Sequence, residues 1–235
     1  WTDGRWWRPN ANQPSGEPNL YHRIKTGGSW SAPVQITSGG TGSAALVADR
    51  QGIVHLAYYT NPESNAYMKW DGLAWSASEI AIRPSHGDID LFVDVNRKLH
   101  MLWDYFDAQA NSRRLYYSAR EGTVWSQPES VALSSSGFRG SLAADSSGRP
   151  HVVWEVQGVA PRLLYSTKSG PGWTSPVQLH LITQAPAQFS SDTAISANDE
   201  LHVVWLASPT GKSEVFYNHA KVGSDVLPPS VSLLD

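Results

Sequence analysis

The sequence predicts an all-β protein, a β-propeller of about five four-stranded antiparallel blades. The first observation is a recurring motif of histidine, small apolar residues and an aromatic residue, found at His55–Tyr58, His100–Trp103, His151–Trp154 and His202–Trp205. Its histidines are 45, 51 and 51 residues apart. A regular period of this length, with short strands between turn signals, is typical of an array of like β units. The second observation is that four short strands fit within each period, as in a propeller blade.

The third copy shows the unit most clearly. An apolar run at Gly140–Asp145 predicts the first strand, and Ser146–Gly148 predicts a tight turn. The second, third and fourth strands are predicted at His151–Val156, Arg162–Thr167 and Trp173–Leu179. In every copy an Asp or Ser lies six residues before the histidine. Its side chain can accept a hydrogen bond from the backbone two residues on, which favours a turn.

The predicted fourth strand begins with tryptophan in four copies, at Trp30, Trp75, Trp125 and Trp173. Three of these four strands contain proline three residues later. Proline removes a hydrogen-bond donor from a sheet and is tolerated chiefly at an edge. We therefore expect the fourth strand to form the outer edge of each blade.

The two ends of the chain leave the blade count open. Trp1-Thr2-Asp3 fits the end of a second strand, so we expect a processed or truncated product. Residues 1–224 are predicted to form the propeller and residues 225–235 a tail. The tail resembles a first strand that could close the ring, and its two prolines are equally typical of a linker to a following module. Five blades is the prediction, and part of a six- or seven-bladed propeller is the alternative.

Composition and charge exclude several classes of function. The formal net charge of -3 argues against a nucleic-acid partner. The chain has no run of Lys or Arg and no apolar stretch long enough to span a bilayer, so membrane insertion is not expected. It has no cysteine, which rules out disulfides and thiolate metal sites. We expect neither a cofactor nor a metal ion.

The long, irregular loops are predicted to lie on one face of the propeller, where binding usually resides. Three tryptophans, two of them in the loop Gly4–Asn10, have no counterpart in the repeat: Trp6, Trp7 and Trp70. Aromatic faces can stack on sugar rings while neighbouring polar groups bind the hydroxyls. The candidate glycan-binding residues are Arg5, Trp6, Trp7 and Arg8, followed by Tyr105, Phe138 and Arg139. The alternative is that the loop covers the mouth of the ring and buries its own tryptophans.

The repeated histidines are predicted to be structural. They occupy one position on different blades and cannot converge on a metal ion as ligands on a single strand or helix would. We expect each of them to form hydrogen bonds across its blade or to the next blade.

Asp104 and Glu155 directly follow the repeated tryptophan of adjacent blades. Two carboxylates at equivalent places could serve as an acid and a base or nucleophile, with Tyr105 as a further catalytic candidate. Solvated loop charge is the simpler interpretation and the one expected here. Arginines on the same face, such as Arg113 and Arg139, would recognise a carboxylate.

The hairpin between the third and fourth strands resembles the Asp-box, Ser-x-Asp-x-Gly-x-Thr-Trp, of sialidase-type propellers. Degenerate copies are Ser118–Trp125 and Ser166–Trp173, in which Arg120 and Lys168 replace the defining Asp. The resemblance implies that this hairpin lies on the face away from the active site. It also implies a set of arginines, a Tyr nucleophile and an Asp acid, for which the candidates are Arg5, Arg83, Arg139, Tyr105, Asp88 and Asp104. The repeats also resemble those of propeller lectins, which bind monosaccharides between blades through Trp and Arg.

The sequence thus favours a non-catalytic, secreted or cell-surface propeller that binds a glycan or cell-surface polysaccharide. One alternative is a glycoside hydrolase (sialidase-like) or polysaccharide lyase that uses Asp104 and Glu155. Another is a scaffold that recognises protein. The two carboxyl groups test the enzyme alternative, because hydrolysis needs them about 5 to 9.5 Å apart across a pocket.

Overall fold

The structure, a computed structural model, describes residues 19–61, 63–85, 87–109, 111–134, 138–156, 162–181, 191–207 and 214–222. For residues 134, 138, 180, 181 and 207 it describes the backbone alone. These segments contain β-strands and no helix. The loop Gly4–Asn10 and the tail at residues 225–235 lie outside the described residues.

The strands group into five successive antiparallel units, named blades 1 to 5 in chain order. Blade 1 comprises β1 (Tyr21–His22), β2 (Lys25–Thr26), β3 (Ser29–Trp30) and β4 (Val34–Gln35). Blade 2 comprises β5 (Thr41–Ala48), β6 (Val54–Thr60), β7 (Ser64–Trp70) and β8 (Glu79–Ile82). Blade 3 comprises β9 (Ile89–Val93), β10 (Leu99–Asp107), β11 (Ser112–Glu121), β12 (Val124–Trp125) and β13 (Glu129–Ser134). Blade 4 comprises β14 (Phe138–Ala144), β15 (Pro150–Val156), β16 (Arg162–Ser169), β17 (Gly172–Trp173) and β18 (Val177–Leu181), and blade 5 comprises β19 (Ser191–Ile195), β20 (Glu200–Ala207) and β21 (Glu214–Lys221).

Neighbouring blades pack face to face. The first strands of successive blades, β5, β9, β14 and β19, contact one another in order, as strands around a common axis do. Between blades 3 and 4, buried Leu102 and Leu115 lie in one cluster with Val152 and Trp154. Similar clusters fill the spaces between the other pairs of adjacent blades. This face-to-face stacking of antiparallel sheets confirms the predicted all-β propeller.

The turn between the first and second strands is organised by its aspartate. In blade 4, Oδ1 of Asp145 accepts hydrogen bonds from the backbone N–H groups of Ser147 and Arg149, both at 2.9 Å. Gly148 has a φ of 81°, which this tight turn requires. The equivalent aspartates of blades 2 and 3 accept the same pair of backbone bonds. The predicted role of the turn aspartate is therefore confirmed.

The repeated histidines form hydrogen bonds across their own blades, as predicted. In blade 4, Nδ1 of His151 lies 2.7 Å from the hydroxyl of Tyr165 on the neighbouring strand. Nε2 of the same ring lies 3.3 Å from the turn carboxylate of Asp145. The same His–Tyr hydrogen bond occurs between His55 and Tyr67, His100 and Tyr117, and His202 and Tyr217. In blades 2, 3 and 4 the histidine thus lies between the turn aspartate and the third strand, whereas His202 of blade 5 lies near Glu200 of its own strand.

The fourth strand is the outer edge of blades 2, 3 and 4, as predicted, but in blades 3 and 4 it is divided. Trp125 lies in β12, which pairs with the end of β11, whereas β13 pairs with an earlier part of β11. Pro128 stands in the gap between β12 and β13, and Pro176 stands in the equivalent gap of blade 4. The prediction of proline inside the edge strand is therefore wrong in this detail, because the chain leaves the sheet at that point.

Candidate active site

Asp104 and Glu155 lie near the ends of β10 and β15, at the same end of adjacent blades. This end carries the connections between blades, which the sequence predicts for the working face. The two residues are only 3% and 1% exposed, respectively. The expectation of solvated loop charge is therefore wrong for both. Burying a carboxyl group costs free energy, and such groups concentrate at functional sites.

Asp104 is held by its own blade. Its Oδ1 accepts a hydrogen bond from the backbone N–H of Asp88 at 2.9 Å, and its Oδ2 accepts one from the guanidinium of Arg113. The carboxyl group fits because Gly87, with a φ of 143°, has no side chain: a Cβ there would lie 1.7 Å from Oδ1. Burial raises the pKa of Asp104 above its ordinary value, although Arg113 and the Asp88 N–H favour the ionised form.

Glu155 has weaker support. Neither carboxyl oxygen has a hydrogen-bond partner of normal geometry among the described residues, although Ser191 and Arg139 lie near enough to favour its charge. Burial dominates and raises the pKa of Glu155 to about 7. Since burial disfavours the charged form, this carboxyl group is half protonated near neutral pH.

An exposed ion pair connects the surroundings of the two acids. Nε of Arg139 lies 3.7 Å from Oδ2 of Asp88, and these side chains are 44% and 61% exposed. Arg139 is also the register partner of Glu155 on the adjacent strand. Glu155 faces blade 5, near Ser191, whereas Asp104 is held within blade 3, and the exposed pair lies between the surroundings of the two acids.

Further polar groups line the first strands of blades 3 to 5. Oδ2 of Asp90 accepts the backbone N–H of Leu142 at 2.7 Å, and the Ser141 hydroxyl lies 3.0 Å from Oδ1 of Asp192. Burial raises the pKa of Asp90. These contacts tie each first strand to the next one, so we assign them to the architecture rather than to the chemistry.

The other predicted site residues are placed less favourably. Tyr105 follows Asp104 on β10 and so points to the opposite face of the sheet, near Glu63 and Tyr116. Phe138 pairs through its backbone with Val156, and its side chain is not described. The loop candidates Arg5, Trp6, Trp7 and Arg8 lie outside the described residues. Sequence reasoning missed Gly87 and Ser191, because neither belongs to the repeated pattern.

Within the described ranges, no group of three or more His, Asp or Glu side chains is arranged to hold a metal ion. No helix in that part of the chain is long and apolar enough to cross a membrane.

A groove of about 730 Å³ opens between blades 1 and 2. Its lining is mainly apolar and aromatic, with Leu46, Trp70 and Trp75 among its residues and no Asp or Glu. Leu46 and Trp75 belong to the face that blade 2 turns towards blade 1. We therefore interpret the groove as space between blades and not as the site of acid chemistry.

Known proteins resemble this chain in structure alone. No protein-family model matches it, and no curated protein is detectably similar. An ulvan lyase of polysaccharide lyase family PL25 matches with a TM-score of 0.64 at 10% identity, over 81% of this chain and 55% of the lyase. An α-L-arabinanase from Penicillium chrysogenum, solved with arabinobiose, matches with a TM-score of 0.54 at 15% identity, over 88% of this chain and 71% of the arabinanase. The leech intramolecular trans-sialidase matches with a TM-score of 0.53 at 12% identity, over 87% of this chain and 36% of the enzyme.

These likenesses define the fold as that of propellers found in carbohydrate-active enzymes, the sialidase type among them. The chain spans just over half of the ulvan lyase. The prediction of a non-catalytic carbohydrate-binding propeller is wrong in its main interpretation, because the matching structures are named as lyase, arabinanase and trans-sialidase.

Proposed function

We propose that the chain forms the catalytic region of an enzyme that hydrolyses glycosidic bonds, with Glu155 as the proton donor. The observation that carries the proposal is the state of Glu155, which is buried, has no hydrogen bond of normal geometry among the described residues and has a pKa raised to about 7. A general acid must hold a proton at the working pH and release it in the transition state, and a pKa near neutrality meets both needs.

Asp104 supplies the second carboxyl group. Glycoside hydrolases use one carboxylic acid to protonate the leaving oxygen and a second carboxylate to activate water or attack the sugar. Arg113 donates to Asp104 and favours its ionised form, whereas Glu155 has no such bond. The two acids thus differ in their surroundings: Asp104 has a hydrogen-bonded cationic partner, and Glu155 does not.

The glycan would bind at the exposed Asp88–Arg139 pair. A sugar ring that separates these side chains exchanges their weak 3.7 Å contact for hydrogen bonds to its hydroxyls and comes close to the buried carboxyls. The proposed substrate is a polysaccharide, as in the ulvan lyase and arabinanase structures. Since such polymers lie outside cells, the proposal includes a secreted or cell-surface protein.

A polysaccharide lyase is the second candidate. A lyase must neutralise the carboxylate of a uronic acid, and guanidinium groups do this well. Arg113 and Arg139 are 33% and 44% exposed beside the site. The structural likeness to the ulvan lyase also supports the lyase candidate.

The test is an assay of the purified chain on ulvan, arabinan and 3′-sialyllactose. We expect Glu155→Gln to lower kcat by about 100-fold or more, because the amide cannot donate an acidic proton. The wild-type rate should fall as the pH rises above about 7, where Glu155 loses its proton. Hydrolysis releases reducing ends alone, whereas lyase cleavage also creates an ultraviolet-absorbing unsaturated uronate.

Glu121→Gln is the matched control, since Glu121 is 88% exposed on the hairpin at the opposite end of blade 3. It should leave kcat unchanged. Wild-type turnover of none of the three glycans, or full turnover by both Glu155→Gln and Asp104→Asn, would contradict the proposal. An unsaturated product would replace hydrolysis with the lyase reaction.

A further inference from the structure

Phe106 is an exposed aromatic residue next to the buried acid of blade 3. It lies two residues after Asp104 on β10, so the two side chains share one face of the sheet. Leu102 of the same face packs with Val152 and Trp154, so this face is turned towards blade 4. Asp104 is 3% exposed, whereas Phe106 is 37% exposed. The strand thus carries a buried carboxyl group and then an accessible ring.

The aromatic ring and the carboxyl group share one basic partner. Phe106 and Arg113 are register partners on β10 and β11, and Cζ of the guanidinium lies 5.6 Å from the centre of the ring. Nη1 of the same guanidinium donates to Oδ2 of Asp104. The side chain of Arg113 is itself 33% exposed. Because a guanidinium has five N–H donors, the bond to Asp104 leaves others for a ligand.

None of the other copies of the histidine motif has an aromatic residue at this position. Phe106 lies six residues after the repeated histidine, and the corresponding residues are Asn61, Gln157 and Ser208. Single exposed apolar residues are common on protein surfaces and need no ligand. Here, however, three of the four copies carry a polar residue, so the architecture does not require an aromatic ring beside the acid. The ring therefore calls for a reason of its own.

A row of contacts continues from this ring towards the first strands of blades 3 and 4. Asp104 accepts the N–H of Asp88 at 2.9 Å, and Oδ2 of Asp88 lies 3.7 Å from Nε of Arg139. The exposed side chains of the row are Phe106, Arg113, Asp88 and Arg139, with the buried Asp104 at its middle. The proposed function places one sugar at the Asp88–Arg139 pair. A polysaccharide that follows the row brings a neighbouring sugar to Phe106.

We propose that Phe106 and Arg113 form a second sugar subsite, which binds the ring next to the one at the Asp88–Arg139 pair. The C–H face of that sugar stacks on Phe106, and Arg113 donates to oxygen atoms at its edge. The inference rests on the proposed function for the nature of the ligand. It extends that function to a substrate class: a chain of at least two sugars, and not a single sugar. Since the stacked sugar takes no part in the reaction, its binding should act on KM and not on kcat.

Affinity electrophoresis tests the subsite without any need for turnover. The purified chain migrates through gels that contain ulvan, arabinan or no polysaccharide, and its retardation gives the dissociation constant. We expect at least one of the two polymers to retard the wild type. Phe106→Ala should raise that dissociation constant about 10-fold, since it loses the stacked ring. Phe106→Leu, which keeps an apolar side chain without a flat face, should bind as weakly, and Phe106→Trp should bind at least as tightly as the wild type.

Val124→Ala is the control, because Val124 is 70% exposed on the hairpin at the opposite end of the same blade. It should leave binding unchanged. The subsite would be overturned if neither polymer retards the wild type, or if Phe106→Ala binds as tightly as the wild type or as Phe106→Trp.

Kinetics separate the failure of the subsite from the failure of the proposed function. On the polymer that binds, Phe106→Ala should raise KM about 10-fold and leave kcat within about twofold of the wild type. Unchanged binding and KM in Phe106→Ala, together with loss of turnover in Glu155→Gln, would overturn the subsite and leave the proposed function intact. Binding that depends on Phe106 in a chain without turnover would support the subsite and contradict the proposed function.

Discussion

Asp104 and Glu155 show how one repeat position can hold two different acids. Asp104 accepts hydrogen bonds from Arg113 and from a backbone N–H, whereas Glu155 has no hydrogen bond of normal geometry among the described residues. Because the pKa of Glu155 is raised from 4.5 to about 7, its contribution to stability is full below pH 4.5 and is lost as the pH rises through 7. The loss is about 3 kcal/mol by linkage. Glu155→Gln should therefore raise the free energy of unfolding at pH 8, although the proposed function expects it to lower kcat.

Gly87 is the residue that admits Asp104, and its substitution is a sharp test of the site. Gly87→Ala combines backbone strain at a φ of 143° with a Cβ 1.7 Å from Oδ1 of Asp104, so the carboxyl group must move. We expect unfolding free energy to fall by about 2–4 kcal/mol and kcat to fall about 100-fold. The measurements are urea unfolding and the glycan assay.

Gly72→Ala is the control that separates backbone strain from the displacement of a neighbouring side chain. Gly72 has a φ of 101° but nothing lies within 4 Å of its added Cβ. Its alanine variant should lose about 1 kcal/mol and keep full turnover. If Gly87→Ala behaves in the same way, Asp104 does not need its present position.

Between elements, a basic side chain joins the third strand of one blade to the hairpin of the next. The guanidinium of Arg120 lies 4.3 Å from the centre of the Tyr67 ring, over Trp125 as well, and bonds to Glu79 of blade 2. One blade further on, the corresponding residues are Lys168, Tyr117, Trp173 and Glu129. Arg120 and Lys168 thus bind adjacent blades together.

Trp70, which has no counterpart among the repeated tryptophans, occupies this same position. It pairs with Trp75 as Arg120 pairs with Trp125. Its ring packs edge-on against His22 of blade 1 at 5.1 Å. The acidic partner is also absent there, since Val34 stands where blade 2 has Glu79. The basic side chain and its acidic partner are therefore both present between blades 2 and 3 and between blades 3 and 4, and both are absent between blades 1 and 2.

Arg120→Ala should lower the free energy of unfolding by about 2 kcal/mol, because it removes both the ring contact and the partner of Glu79. The double variant Glu79→Val/Arg120→Trp copies the contact between blades 1 and 2. It should recover at least half of that loss in urea unfolding. Equal stability of the wild type and Arg120→Ala would show that the contact contributes nothing.

At the scale of the whole molecule, the repeat made the architecture predictable. The His–Tyr bonds and turn aspartates follow one period, so the propeller and the outer position of the fourth strand could be inferred. The sequence also indicates where Asp104 and Glu155 lie in the repeat, but it does not indicate that they are buried. That depends on Gly87, Arg113 and Ser191, which come from other strands and from connections without a repeated pattern. The sequence alone favours binding over catalysis. Three tryptophans without a counterpart in the repeat are a stronger signal there than two acids at a repeated position.

The stability of the protein at acid pH depends on equivalent buried histidines in three blades. Burial lowers the pKa of His55, His100 and His151 below the ordinary 6.5, against the opposing pull of their turn aspartates. The unfolded chain therefore takes up protons first, so this stability is full above pH 6.5 and is lost as the pH falls through the folded values. Glu155 acts in the opposite direction and masks part of the loss.

Urea unfolding at pH 5, 6, 7 and 8 separates these contributions. We expect wild-type stability to decline below pH 6.5, with a smaller slope in His151→Gln, which has one proton fewer to take up. The slope should be larger in Glu155→Gln, because removing the carboxyl group removes the compensating gain between pH 7 and 5. Identical slopes in the three proteins would mean that these buried groups do not govern the response to pH. Opposite changes would show that Glu155 and the structural histidines have opposing effects on the pH dependence of stability, with Glu155 lowering stability at alkaline pH and the histidines lowering it at acid pH.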